Sequence, residues 1–468
     1  MTRSGAPHRS PTPRLAACAI VTVTLLAGGR ASAQNADPFF FGDEAALGSG
    51  AVVASGRDSG AFWYNPAGFG GLKRGLVSAS ASTFGIRLRT VPNALRLRVG
   101  GQDSGIDLSS ADIISVPNAV VAATQIGEKS ALAGGLLMTE RDLRSAFGAT
   151  TDQPGRSLDG APLVTSQRLD IQADTAKYHV GAAFATQLLA QLRLGAALYG
   201  TYTKAAVGAS YAFGATNTTE PSTERVFVLA AGRETSSAIG VTASLGAQYE
   251  VTPKVAAGLT VRLPEVALSQ SVEGGAVIGT GAVSTTDPGV ADLVREPAQR
   301  ANAAGTFVAP TRVLAGVAYA LGPPQSWVEF GVDFAHGLPA SELADARQPA
   351  VNGRVGVRYM LSPAWIVGGG VFTDFATRAR LGELVVGDRV DYYGLTAGVS
   401  KRTPLSLRQD PSPEALVLVT TFSLRSSIGF GQARAATIDL DDPNAQRDDR
   451  SDVTYFELMP YLGSAVVF

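Results

Sequence analysis

The sequence predicts an all-β protein: a transmembrane antiparallel β-barrel of about 14 strands. Three observations predict it: an export-type N-terminus, side-chain alternation with a period of two over most of the remaining chain, and connections that alternate between short turns and long polar stretches.

The leader comes first. Arg3, Arg9 and Arg14 precede any acidic residue, and the apolar run Leu15–Leu26 is too brief to span a bilayer as a helix. Small residues at Ala31-Ser32-Ala33 offer a cleavage site, so residues 1–33 read as a signal peptide and the mature chain is expected to begin at Gln34. The single cysteine, Cys18, falls inside that leader, which leaves no thiol or disulfide chemistry to the mature protein. Leu15-Ala16-Ala17-Cys18 has the look of a lipoprotein box, but Pro11–Arg14 stand where its apolar stretch belongs.

Composition narrows the class. With 53 glycines, 45% hydrophobic and only 17% charged residues, the chain suits a wall of alternating small and apolar side chains better than a helix-rich soluble enzyme. A net charge of -1 removes the electrostatic case for nucleic acid as a partner. After the leader no apolar run approaches the length of a membrane helix, yet a closed barrel crosses lipid without one, because its strands satisfy one another's backbone groups.

Strands are expected near 74–90, 111–126, 130–141, 169–187, 192–213, 236–251, 254–271, 306–320, 326–337, 350–361, 364–376, 391–403, 415–430 and 453–468. The sorting is clearest where Ile239, Val241, Leu245 and Tyr249 fall on one face and Thr242, Ser244, Gln248 and Glu250 on the other. Gly127-Glu128-Lys129, Thr252-Pro253, Gly322-Pro323-Pro324 and Ser362-Pro363 have turn chemistry. The polar stretches 142–168, 214–235, 272–305, 377–390 and 431–452 are expected as long outer loops, with 91–110 and 338–349 able to hold further short strands. An even count returns both ends to the periplasmic side, and the terminal Phe468, after Tyr455, Phe456 and Tyr461, is what clients of the barrel-assembly machinery present.

Between leader and barrel the chain reads Gly50-Ala51-Val52-Val53-Ala54, then Asp58, then Ala61-Phe62-Trp63-Tyr64-Asn65-Pro66-Ala67-Gly68-Phe69. This segment resembles the long-chain fatty acid transporter (FadL/TodX-type) family of outer-membrane proteins, in which the Asn-Pro-Ala segment belongs to a hatch that plugs a fourteen-stranded barrel. The resemblance implies a division into leader (1–33), hatch (34–73) and barrel (74–468). It also implies passive uptake of hydrophobic small molecules, such as long-chain fatty acids or aromatic hydrocarbons, across the outer membrane of a Gram-negative bacterium. Lipid and lipopolysaccharide are then expected around the wall, with no cofactor and no metal. Physically, Pro66 fixes its own φ, Asn65 can accept a turn hydrogen bond and Gly68 can take positive φ, which suits a rigid plug loop as well as an ordinary turn. Members release ligand sideways through a kinked third strand, and here that strand carries Gly134-Gly135, a pair that fits a bend or plain close packing.

Charged candidates face the lumen. If 326–337 and 350–361 form a hairpin, one register sets Glu329 opposite Arg358 and Asp333 opposite Arg354. These charges either greet a carboxylate headgroup or brace the wall. Lys177 and His179 share the same kind of face, where a lone histidine is more often a hydrogen-bonded wall residue than a ligand or catalyst. The acidic run Asp439, Asp441, Asp442, Asp448, Asp449 and Asp452 lacks the spacing of a calcium loop and reads as solvated. Enzyme chemistry finds little footing: only His179 and His336 remain outside the leader, and Arg57-Asp58-Ser59-Gly60, superficially like a serine-protease segment, has no matching triad. A general diffusion porin or a structural, adhesive surface barrel shares the same broad features and stays open at this point.

Overall fold

The computed structural model describes residues 40–468, apart from 100–101, 157–161, 219–224, 284–291, 341–345, 379–387, 406–415 and 440–446. The expected leader and residues 34–39 of the expected hatch therefore lie outside the described residues. Two short helices, α1 (Asp43–Leu47) and α2 (Ala61–Tyr64), and a 3-10 turn (Pro66–Phe69) precede the strands. The strands are β1 (Leu76–Val99), β2 (Gln102–Ile126), β3 (Ser130–Arg156), β4 (Pro162–Gln187), β5 (Leu192–Asn217), β6 (Arg225–Thr252), β7 (Val255–Arg262), β8 (Glu265–Val283), β9 (Asp292–Ala303), β10 (Thr306–Ala309), β11 (Arg312–Ala320), β12 (Trp327–Ala335), β13 (Ala350–Ser362), β14 (Trp365–Asp374), β15 (Asp388–Leu405), β16 (Leu416–Asp439) and β17 (Arg447–Val467).

All seventeen belong to one sheet, which closes where β1 pairs antiparallel with β17 from Leu76↔Val467 onward. Some segments are pieces of one crossing. β6 pairs with β7 near one end and with β8 towards the other, so Pro264, which has no amide proton, merely interrupts a single strand. β9, β10 and β11 likewise continue one another across Gly305, at φ 73°, and Pro310. Counted this way the described residues cross the wall fourteen times.

The faces sort as the alternation predicts, but inside out relative to a soluble protein. Leu198, Phe184, Ile239, Leu245, Phe330, Val351 and Phe422 point outward and are exposed, whereas Arg354, Glu329, Gln248 and Ser244 point inward and are buried. An outward apolar belt of this kind is solvated by lipid. Tyr178 stacks on Tyr202 at one rim of the belt, and Lys401 sits 5.5 Å from the Trp365 ring at the other. The turns at 127–129, 253–254 and 363–364 lie at the Trp365 rim, the end that also holds Leu76 and Val467.

At the opposite end most of the expected outer loops prove to be largely strand among the described residues. β3 and β4 run through most of 142–168, β5 and β6 through most of 214–235, and β1 and β2 turn 91–110 into one hairpin. Above the belt neither face needs to be apolar, so the hydrophobic period fades while the backbone ladder continues. The result is a crown of strand hairpins whose inner side holds a second apolar cluster that includes Leu95, Ile106, Leu169, Ile171 and Phe213.

Candidate functional site: a hatch, a cavity and a gap in the wall

The segment from residue 40 to the start of β1 lies inside the barrel. Phe41, Phe62, Tyr64 and Phe69 are almost completely buried against wall residues that include Val121, Leu137 and Tyr199. Each such side chain contributes about 1.5–3 kcal/mol of burial. Polar contacts fix the orientation. Asn65 Oδ1 accepts from the amide of Ala67 (3.1 Å), and its Nδ2 donates to the carbonyls of Val53 (2.8 Å) and Ala247 (3.0 Å). Gln248 Nε2 donates to the carbonyls of Val53 and Gly56, Arg262 to that of Trp63, and the Tyr199 hydroxyl to that of Phe62. Arg262 also lies 3.5 Å from the Trp63 ring centroid.

The Asn-Pro-Ala turn rests on glycines of the wall. Gly195 and Gly246 are register partners on β5 and β6. A Cβ on Gly195 would come within 2.5 Å of the Ala67 nitrogen, and one on Gly246 within 2.1 Å of Asn65 Oδ1. Gly258 and Gly356 similarly admit the Val53 and Gly48 carbonyls. Gly68 departs from expectation: it lies in the 3-10 turn without positive φ, and its small size is required because a Cβ would meet the Gly56 carbonyl at 2.3 Å.

The lumenal charges also depart from the expected pairing. In the β12–β13 ladder Glu329 faces Gly356 and Arg354 faces Gly331, a register two residues away from the one that sets each acid opposite an arginine. That slip keeps every side chain on the same face, so alternation alone does not choose between the two registers. From this register Glu329 and Arg358 reach the hatch. Glu329 accepts from the amides of Ala54 (2.8 Å) and Ser55 (3.1 Å), and Arg358 pairs with Glu44 (2.6 Å) and donates to Ser55 Oγ. Asp333 pairs with Arg312 and also keeps Arg354 at 3.7 Å, so that expected ion pair forms although the two residues are not register partners.

Within the hatch, burial pushes the Asp43 carboxyl up to about 6, although the Tyr461 hydroxyl donates to it at 3.2 Å. Burial likewise raises Asp58, helped by the nearby charges of Glu44 and Asp43.

Above the hatch a cavity of about 120 Å³ is lined by Trp63, Thr139, Glu140, Lys177, His179 and Arg262, among others. Lys177 pairs with Glu265, and His179 Nδ1 shares a 3.0 Å hydrogen bond with Thr139 Oγ1. A cavity of roughly 150 Å³ holds a benzene ring. This one, open on one side, has room for a single small ring or a polar headgroup.

Beside the cavity the wall is interrupted. β2 and β3 pair over Ala119–Ile126 with Ser130–Leu137 and meet again only at Ser109↔Phe147, so residues 110–118 and 138–146 are unpaired with each other. Here β3 is bulged relative to β4 between Met138 and Glu140. The glycine pair is not the irregularity: Gly134 and Gly135 are regularly paired on both sides, and Gly135 is small because Val120 and the Phe62 ring crowd it. Among the described residues no cluster of acids, histidines or cysteines could hold a metal ion, and Asp441 and Asp442 of the acidic run lie outside them.

These features define a class: a β-barrel of outer-membrane type, plugged by its own N-terminal segment and interrupted beside its third strand. The chain shares this fold with a FadL homologue of Pseudomonas aeruginosa, at a TM-score of 0.58 and 11% identity, over 93% of this chain and 99% of the other. The Pseudomonas putida toluene transporter TodX aligns less closely, at a TM-score of 0.49 and 12% identity over 91% of this chain and 98% of its own. The CymD monoaromatic hydrocarbon channel stands at 0.49 and 14%, over 91% and 97%. No family model matches the sequence, and no curated protein matches it.

Proposed function

We propose that this protein is an outer-membrane channel of a Gram-negative bacterium for passive uptake of hydrophobic small molecules, long-chain fatty acids or aromatic hydrocarbons. In this reading ligand leaves the lumen sideways between β2 and β3. The observation that carries the proposal is the unpaired stretch of wall at 110–118 and 138–146, because two residues of its bulged strand, Thr139 and Glu140, also line the cavity above the hatch. A solute that follows this route passes from lumen to lipid without crossing the hatch, which is anchored to the wall on several sides. The apolar cluster inside the crown supports an apolar ligand at the outer end. The fold shared with the FadL homologue supports the same reading. A general diffusion porin fits less well, since its lumen is an open aqueous pore and here the hatch fills the barrel. The Phe468 amide donates to the Gly75 carbonyl at the seam of the barrel (2.9 Å).

Uptake of labelled oleate and toluene by cells expressing the protein, with planar-bilayer conductance of the purified barrel, tests this. Ligand-dependent uptake with low ion conductance is expected. Steady porin-like conductance with no uptake of either ligand overturns it.

A further inference from the structure

The unpaired stretch of β3 is occupied by side chains that stand in for the missing strand ladder. Arg87 on β1 and Asp112 on β2 are register partners on the lumenal face. Arg87 Nη1 donates to the Arg141 carbonyl (2.9 Å), and Asp112 Oδ1 accepts from the Ser145 amide (3.0 Å). Two backbone groups of β3 that β2 would otherwise satisfy are thus satisfied from the lumen. Asp142 sits between them and receives Arg87 (3.1 Å) and Arg89 (2.6 Å). Two residues further along, Arg144 reaches across the lumen to Asp388 on β15 (2.7 Å).

The register on the two sides of the gap does not oppose closure, although β3 is bulged against β4 between Met138 and Glu140 and β2 against β1 opposite Ser80–Gly85. The register at Ala119↔Leu137 is the same as at Ser109↔Phe147, so β2 and β3 could zip through the gap without a slip, with Ile113 facing Leu143. Pro117 lacks one amide proton, which accounts for one missing ladder bond and not for the whole stretch.

We propose that Arg87, Asp112 and Asp142 form an ionic clamp that draws β3 into the lumen and holds the lateral gap open, so that these positioning residues set the width of the exit. The clamp rests on the reading of that gap as the exit, but its geometry is testable without any ligand. The pair Ile113→Cys/Leu143→Cys, at positions that the common register would set opposite each other, serves as a ruler, because a disulfide needs Cα atoms within about 7 Å and paired strands bring opposite Cα atoms to about 5 Å. The Thr124→Cys/Leu132→Cys pair, at a register position where the ladder is intact, is the control. Cys18, in the expected leader, is the only native cysteine, which keeps the background low.

In the otherwise native protein, in detergent or vesicles, the gap pair should oxidise at least fivefold more slowly than the control. Asp142→Asn, or the milder Asp112→Ala, should bring the gap pair up to the control rate and leave the control unchanged. Folding is read from migration of unheated and heated samples. Rapid oxidation of the gap pair in the native background overturns the proposal without any clamp variant. Folded clamp variants whose gap pair stays slow overturn it too. Oleate and toluene uptake, measured with the gap pair reduced and oxidised, separates the two claims. Loss on oxidation, restored by reductant, supports both; a clamp that behaves as expected with uptake indifferent to the disulfide leaves the clamp standing and removes the lateral exit.

Discussion

Asn65 makes three hydrogen bonds with a single amide, one that closes its own turn and two that tie the hatch to itself and to β6. Asn65→Ala removes all three, although Gln248 keeps its hold on the Val53 carbonyl. The expected loss is about 1–3 kcal/mol of local hatch stability. It should appear as faster amide exchange across 43–69 with the strands unaffected, and equal slowing of both regions would show that hatch and wall open together. Asp43, like Asp58, is a buried hatch carboxyl whose ionisation opposes seating. Its folded value is raised to about 6 by burial, so its contribution to seating is complete below the unfolded value near 3.8 and lost as pH rises through 6. Ionising it in place costs roughly 3 kcal/mol. Hatch amides, corrected for intrinsic exchange, should therefore be better protected at pH 5 than at pH 7.5, and Asp43→Asn should shrink the difference. Equal protection at the two pH values would mean that the carboxyl is not held in a dry site.

At the scale of elements, what was legible in the sequence follows from where the hydrophobic period survives. The belt-spanning parts of β5, β6, β12 and β13 present alternating faces and could be placed within a few residues. Their crown extensions could not, because polar residues on both faces of a strand look like loop; the stretch 214–235 is an example. The Asn65-Pro66 turn was visible as a motif, but its seat was not. Gly195 and Gly246 are ordinary barrel glycines until register sets them side by side beneath it. The gap between β2 and β3 left almost no local trace, since it depends on Arg87 and Asp112 acting on a strand beyond their own pair. The glycine seat makes a prediction of its own. Gly195→Ala forces hatch backbone to move, whereas Gly353→Ala meets nothing within 4 Å. The first should expose residues 40–73 to protease while the barrel keeps its heat-dependent migration, and the second should behave like the parent. Equal resistance in the two variants would show that the hatch tolerates a lift of more than an ångström.

For the whole molecule the decisive question is where lipid ends along strands that are longer than a bilayer requires. A membrane strand needs about 9–11 residues, and β5 has 26. Its outward residues are apolar through Leu198 and Tyr202, then give way to Lys204 and Ser210, so one continuous ladder passes from lipid into water near the Tyr178–Tyr202 stack. Leu198 is 64% exposed on the outer face, a surface that water would not leave bare over a whole belt. Leu198→Arg therefore places a charge near the middle of the belt and should cost about 2–4 kcal/mol in reversible folding into lipid vesicles. Ser210→Arg, on the same face of the same strand beside Asp170 of β4, should cost close to nothing. The contrast separates the two regimes because backbone, strand and face are shared and only the depth differs. Equal costs at the two sites would move the bilayer boundary above Ser210 and turn the crown into part of the transmembrane wall.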